Sequence, residues 1–144
     1  MVMRSEFVNG VTVRPLRNGE TAPVQAVFDA LGAASRLRRF GGAKNVLTPA
    51  DLDLLARVDA THHVLVACVD GAPIGIARLV REGDRAEVAF AVADAWQSRG
   101  VGTLLIERLA ADARAAGITR FTADVAPDNL RSRALLRRLR LAAA

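Results

Sequence analysis

Seven consecutive residues, Gln97-Ser98-Arg99-Gly100-Val101-Gly102-Thr103, bring together two glycines, one cation and three hydrogen-bonding side chains. Ahead of them Glu87-Val-Ala-Phe-Ala-Val-Ala-Asp94 is apolar and β-rich, with Val88, Phe90 and Val92 alternating. Behind them Leu105, Leu109 and Ala113 recur at helical spacing. A strand that passes through a glycine loop into a helix aims backbone N–H groups at one spot, beside the positive end of the helix dipole. That spot suits an anion, most often a phosphate. Absent side chains at Gly100 and Gly102 admit a bulky pyrophosphate, and Gln97, Ser98, Arg99 and Thr103 add donors or charge. Two familiar phosphate loops are excluded: no Lys follows Gly102, and position 105 is Leu rather than the third glycine of a dinucleotide fingerprint. The second chemical candidate is Glu87, an isolated acid in an apolar strand. Partial burial would raise its pKa towards that of a useful base. Pairing with Arg78 or Arg85 would make it structural instead.

Other reactive side chains carry less. Cys68 lies inside an apolar run and makes a poor nucleophile. His62 and His63 are adjacent rather than at metal-ligand spacing, so no metal site is expected. Arg131, Arg133, Arg137, Arg138 and Arg140 form the solvated face of a last helix, with Arg131 and Arg133 the better placed to meet a phosphate.

The elements that must position these residues fit one domain of 144 residues, 51% hydrophobic and 24% charged. Residues 1–10 read as a leader or cloning remnant and 11–144 as the domain. A single cysteine supports no disulfide framework and suggests a reducing cytoplasm. No apolar stretch is long enough for a membrane span. The net charge of +5 comes almost wholly from arginine and attracts anions generally. An aromatic content of 4% and the lack of a recognition-helix motif argue against nucleic acid.

In order, Val11–Pro15 reads as a strand, and Thr21 as the cap of a helix whose stripe is Val24, Val27, Phe28 and Leu31. A basic stretch at 35–42, read as a solvated helical turn and loop, breaks at paired glycines. Thr48-Pro49 opens a helix presenting Leu52, Leu55 and Val58. Strands follow at 64–69, 73–80 and 85–93, the first two joined by an Asp70-Gly71 hairpin turn. After the helix that ends at Gly117 comes a strand over 118–125, which should run parallel to 85–93. A helix from Asn129 carries Leu130, Leu135, Leu136 and Leu139.

Gln97-Ser-Arg-Gly-Val-Gly102, set between strand and helix, resembles the Gln/Arg-x-x-Gly-x-Gly/Ala loop of the GNAT superfamily of N-acetyltransferases. The resemblance implies an α/β (α+β) GNAT fold, a mixed central sheet with flanking helices. Here the chain stops before the usual final two strands, so a truncated domain is expected. It also implies acetyl-CoA as co-substrate, with pyrophosphate at Gln97, Ser98, Arg99, Gly100, Val101, Gly102 and Thr103. Backbone N–H groups of Phe90, Ala91 and Val92 would meet the thioester carbonyl, and the small residues Ala89, Ala91 and Ala93 would leave room for pantetheine or for a closely packed helix. Asn129 would hydrogen-bond the pantetheine or simply cap its helix. The superfamily often places a Tyr seven residues beyond that Asn as general acid. Position 136 is Leu and the chain has no Tyr, so no general acid is assigned.

Residues 86–103, with Arg39-Phe40, Val58-Asp59 and His63–Ala67, are similar to the Pat-type protein-lysine acetyltransferases. That similarity assigns Glu87 as general base. The expected function is acetyl transfer to a primary amine, a protein lysine foremost. A small amine or amino acid is the alternative acceptor, and a non-catalytic acyl-CoA-binding domain the alternative of another class. A homodimer or a fused regulatory domain is a further expectation.

Overall fold

The computed structural model describes residues 10–40, 46–125 and 128–143. Residues 1–9 of the leader, the paired glycines Gly41-Gly42 and Pro127 therefore lie outside the described residues. Five strands form one sheet in sequence order: β1 (Val11–Pro15), β2 (His62–Val69), β3 (Ala72–Glu82), β4 (Arg85–Val92) and β5 (Arg120–Thr122). The first four pair antiparallel, and β4 pairs β5 in parallel. The helices are α1 (Thr21–Asp29), α2 (Ala33–Phe40), α3 (Pro49–Leu55), α4 (Val101–Ala115) and α5 (Leu130–Ala142). A single 3-10 turn spans Asp94–Trp96.

The continuous apolar run of β2 follows from a sheet covered on both faces. Leu65 and Ala67 join Leu79, Val88, Leu105, Ile106, Leu109 and Leu139 in one core, under α4 and α5. Val64, Val66 and Cys68 point the other way, towards Val24, Phe28, Leu47 and Ala56 around α1 and α3. The β2–β3 turn places Asp70 and Gly71 at φ of 49° and 80°, both left-handed as a tight hairpin requires.

Several boundaries differ from expectation. Thr21 is the first helical residue rather than the cap; Glu20 precedes it without a side-chain capping bond. The helical turn expected within 35–42 is a longer helix, Ala33–Phe40. Thr48 does cap α3, in a reciprocal capping box with Asp51, but the helix stops at Leu55. The last strand is three residues, not eight, because its pairing with β4 ends at Glu87–Thr122. Leu130 is 71% exposed rather than part of the core stripe.

Candidate active site

The parallel pair β4–β5 closes only at Arg85–Arg120, Ala86–Phe121 and Glu87–Thr122. Beyond that, Phe90, Ala91 and Val92 pair with β3 through Ala77, Ile76 and Gly75, and no described strand pairs with them on the other side. The diverging strands leave backbone hydrogen-bonding groups on that edge of β4, and a thin polar chain can use them.

The loop that follows turns on two left-handed residues, Ser98 at φ 61° and Gly100 at φ 89°. Only glycine adopts the second conformation without a Cβ clash. Gly100 carries α4 forward: its carbonyl accepts from Leu104 N–H at 3.0 Å, and no side chain caps the helix. The first-turn N–H groups at Val101, Gly102 and Thr103 are thus without intrahelical acceptors, in the arrangement that favours an anion. Ser98 and Arg99 are exposed, and Arg99 lies over the Trp96 ring at 5.2 Å. Val101 turns its side chain into the core, leaving only its backbone for a ligand.

Two expected roles change, and for Asn129 one of the two expected roles is seen. Gln97 is no free donor. Its Nε2 donates to Val92 O at 3.0 Å and to Ser35 Oγ at 3.1 Å, while its Oε1 accepts from Arg131 at 2.9 Å. It ties β4, α2 and α5 to the loop, and it draws Arg131 there too. Gly102 is small for packing: a Cβ there would lie 2.9 Å from Leu135 Cδ1 of α5. Asn129 caps α5, its Oδ1 accepting from Ser132 N–H at 3.2 Å, which leaves its NH2 available to donate.

Glu87 is exposed, not partly buried, and forms no ion pair with Arg78 or Arg85 among the described residues. Its neighbours are electrostatic. Arg39 of α2 and Arg78 of β3 both feel its charge. Burial, and then Arg78, pull the Arg39 pKa down to about 10, with Glu87 opposing them. Both arginines line a narrow cleft with Val24, Val27, Phe28, Leu31, Leu47, Leu55, Ile76 and Ala91. The row of small residues divides: Ala91 lines this cleft, whereas Ala93 enters the opposite core.

Asp94 was not anticipated. Its carboxylate accepts from Gly32 N–H at 3.0 Å and Ser35 Oγ at 2.7 Å, and so holds the start of α2 from the far end of β4. The partners are 62 and 59 residues away, a distance that no sequence pattern reveals. Arg78 did leave a signal, an isolated charge in an apolar strand, the same one that singled out Glu87. The histidines go separate ways: His62 Nδ1 pairs with Asp59 at 2.8 Å and His63 Nε2 with Asp112 at 2.8 Å. Burial raises the Cys68 thiol pKa, in keeping with an inert side chain.

The model of the acetyltransferase (GNAT) family matches residues 30–140. Over 108 residues the chain is 40% identical to Acetyltransferase Pat of Mycolicibacterium smegmatis, covering 71% of this chain and 32% of that protein. The chain thus spans about a third of that relative's length. The crystal structure of the GNAT domain of S. lividans PAT superposes with a TM-score of 0.82 at 31% identity, over 90% of this chain and 80% of that one. The cAMP-binding acyltransferase from Mycobacterium smegmatis gives 0.58 at 34%, over 90% and 39%. An acetyltransferase from Streptococcus pneumoniae, at 20% identity and 0.68 over 89% and 82%, shares the fold. Among the described residues no helix is long and apolar enough to cross a membrane.

Proposed function

We propose that this chain, which belongs to the acetyltransferase (GNAT) family, transfers an acetyl group from acetyl-CoA to a primary amine, and that the amine is a protein lysine. The observation that carries this reading is the open edge of β4 running directly into the left-handed loop at the start of α4. Donors for a polar arm and donors for a pyrophosphate then follow one another along a single path.

The residues present fit the co-substrate. Backbone N–H groups from Ser98 to Thr103 would cradle the pyrophosphate, with Arg99 and Arg131 supplying charge. The β4 edge over Phe90, Ala91 and Val92 would take the pantetheine arm and the thioester carbonyl, and the Asn129 NH2 would help hold the arm. Acetyl-CoA supplies the activated acyl group. Glu87, open to water and on the strand that carries the thioester site, takes a proton through solvent from the acceptor's ammonium, and the neutral amine so formed attacks the thioester carbonyl. The leaving thiolate is reprotonated from solvent or from the new ammonium, since the chain offers no Tyr. A cytoplasmic setting suits the lone buried thiol and this co-substrate. A fused regulatory domain or a homodimer belongs to the same reading.

Acetyl-CoA should raise the melting temperature of the chain, and a lysine peptide should be acetylated at its ε-amine, as read by mass spectrometry. Stabilisation without turnover on peptides or small amines would leave a non-catalytic acyl-CoA-binding domain. No stabilisation would remove the co-substrate site altogether.

A further inference from the structure

The loop that enters α4 is backed by a chain of hydrogen bonds with a fixed direction. Asp94 accepts from Gly32 N–H at 3.0 Å and from Ser35 Oγ at 2.7 Å, and its own N–H donates to Ala30 O at 3.0 Å. The approach is close enough to require glycine: a Cβ at Gly32 would lie 2.5 Å from the Asp94 carboxylate. Because the Ser35 hydroxyl gives its proton to Asp94, its oxygen is left to accept, and Gln97 Nε2 donates to it at 3.1 Å. The same Nε2 faces Val92 O at 3.0 Å and Asp94 Oδ1 at 3.3 Å. Three acceptors around one amide nitrogen decide which way the amide lies. Gln97 Oε1 therefore points to Arg131, whose Nη1 donates to it at 2.9 Å. Arg14, Arg120 and Arg138 are held differently, each by a carboxylate, from Glu20, Asp84 and Glu107. Arg131 is exposed and forms no ion pair among the described residues. A carboxylate both orients a guanidinium and cancels its charge; an amide oxygen only orients it.

We propose that Gln97 is a positioning residue for the co-substrate: locked by Asp94 and Ser35, its Oε1 sets the Arg131 guanidinium against the pyrophosphate of CoA and leaves its charge to the phosphates. The inference rests on the co-substrate site of the reading above, and it names a residue that acts there through another. Gln97 touches no phosphate itself, since its NH2 is taken up by Val92, Ser35 and Asp94. Among side chains of this length only Gln offers an acceptor on one side and a donor on the other without charge. A Glu in its place would still hold Arg131 but would neutralise it. It would also stand against the Asp94 carboxylate and the Val92 carbonyl with no proton to donate. The remaining N–H groups of Arg131 stay open, in the planar fork that matches phosphate oxygens.

The test reads binding by calorimetry on the whole chain, with CoA and with inorganic pyrophosphate as probes. Arg131→Met, at an exposed position, should weaken both about tenfold, the worth of one charge-assisted hydrogen bond. Gln97→Met should weaken both about 5- to 10-fold in the wild-type background, yet by less than about twofold in the Arg131→Met chain. A loss from Gln97→Met that is equally large in both backgrounds means that Gln97 shapes the loop itself, and overturns the proposal. Unchanged affinity in Arg131→Met overturns it too. Gln97→Glu keeps the acceptor and cancels the charge, so it should bind CoA no better than Arg131→Met; affinity within twofold of the wild type overturns the proposal. A spectroscopic readout covers the case in which the changes at 97 do not fold. Arg131→Met should move the side-chain NH2 resonances of Gln97, and unmoved resonances mean that the bond does not exist in solution and overturn the proposal. Because every arm reads binding, a chain that binds CoA but transfers nothing overturns only the transfer reading. Equal affinities in the wild type and all variants overturn this inference alone, and a wild type that binds neither probe overturns both.

Discussion

Glu87 and Gly100 carry distinct parts of the proposed chemistry, and each can be tested alone. Glu87 sits in water, so its removal costs the site proton acceptance and little packing. Glu87→Gln should leave the thermal shift given by acetyl-CoA unchanged while kcat on a lysine acceptor falls roughly 10²–10⁴-fold. The fall should appear equally in kcat/KM. Undiminished turnover would make Glu87 a spectator. The two loop glycines should part company. Gly100→Val forces a branched side chain to φ 89°, which costs about 1–2 kcal/mol and closes the concavity, so the acetyl-CoA shift should vanish. Gly102→Ala meets only the movable tip of Leu135, so a shift close to wild type is expected. Matching losses in calorimetry would show that both glycines serve the ligand.

At the scale of elements, α2 is held at its start by Asp94, a residue of the segment that leads into the 97–103 loop. Gln97 extends that tie to Val92, Ser35 and Arg131, so the loop, the end of β4, α2 and α5 share one hydrogen-bonded knot. Since α2 carries Arg39 into the cleft, a disturbance at Asp94 reaches that cleft as well. Asp94→Ala should destabilise the chain by about 1–2 kcal/mol, the net worth of its hydrogen bonds to Gly32 and Ser35, and raise KM for the acceptor. Asp94→Asn keeps one acceptor oxygen and should lie between. Chemical denaturation and steady-state kinetics check both; an unshifted midpoint in Asp94→Ala would show the knot to be energetically idle. The open edge of β4 was legible in outline, since a parallel βαβ unit was expected. Its extent was not, because the point where β5 turns away depends on how α4 and α5 pack rather than on the composition of residues 118–125.

Across the molecule, two cores on opposite faces of one sheet bear most of the stability, and surface charge adds a small pH-dependent part. Arg14 binds Glu20 at 2.6 Å and, chiefly through that hydrogen bond, holds its carboxyl down to about 2 from an ordinary 4.5. The contribution is therefore complete above about pH 4.5 and is lost as pH falls towards 2. Both side chains are partly in solvent, so the contribution is at most about 1 kcal/mol. Glu20→Gln should lower the melting temperature by a few degrees at pH 7 and by nothing near pH 2. A constant difference at both values would mean that the ion pair is not its source.

Local chemistry in the sequence already determined the strand–loop–helix at 85–115, the hairpin at Asp70-Gly71, the capping of α3 by Thr48, and the apolar strand β2. Each depends on neighbours within a few positions, where backbone preference and hydrophobic period act. The superfamily was legible for the same reason, because its phosphate loop is a contiguous backbone device. Tertiary structure alone decided what the side chains do there. It turned Gln97 inward, assigned Gly102 to the contact with Leu135, left Glu87 in water, and gathered Arg39 and Arg78 from α2 and β3 beside it. Those outcomes rest on contacts between segments tens of residues apart. They are fixed by how helices and sheet share their buried surfaces, and no local pattern encodes that.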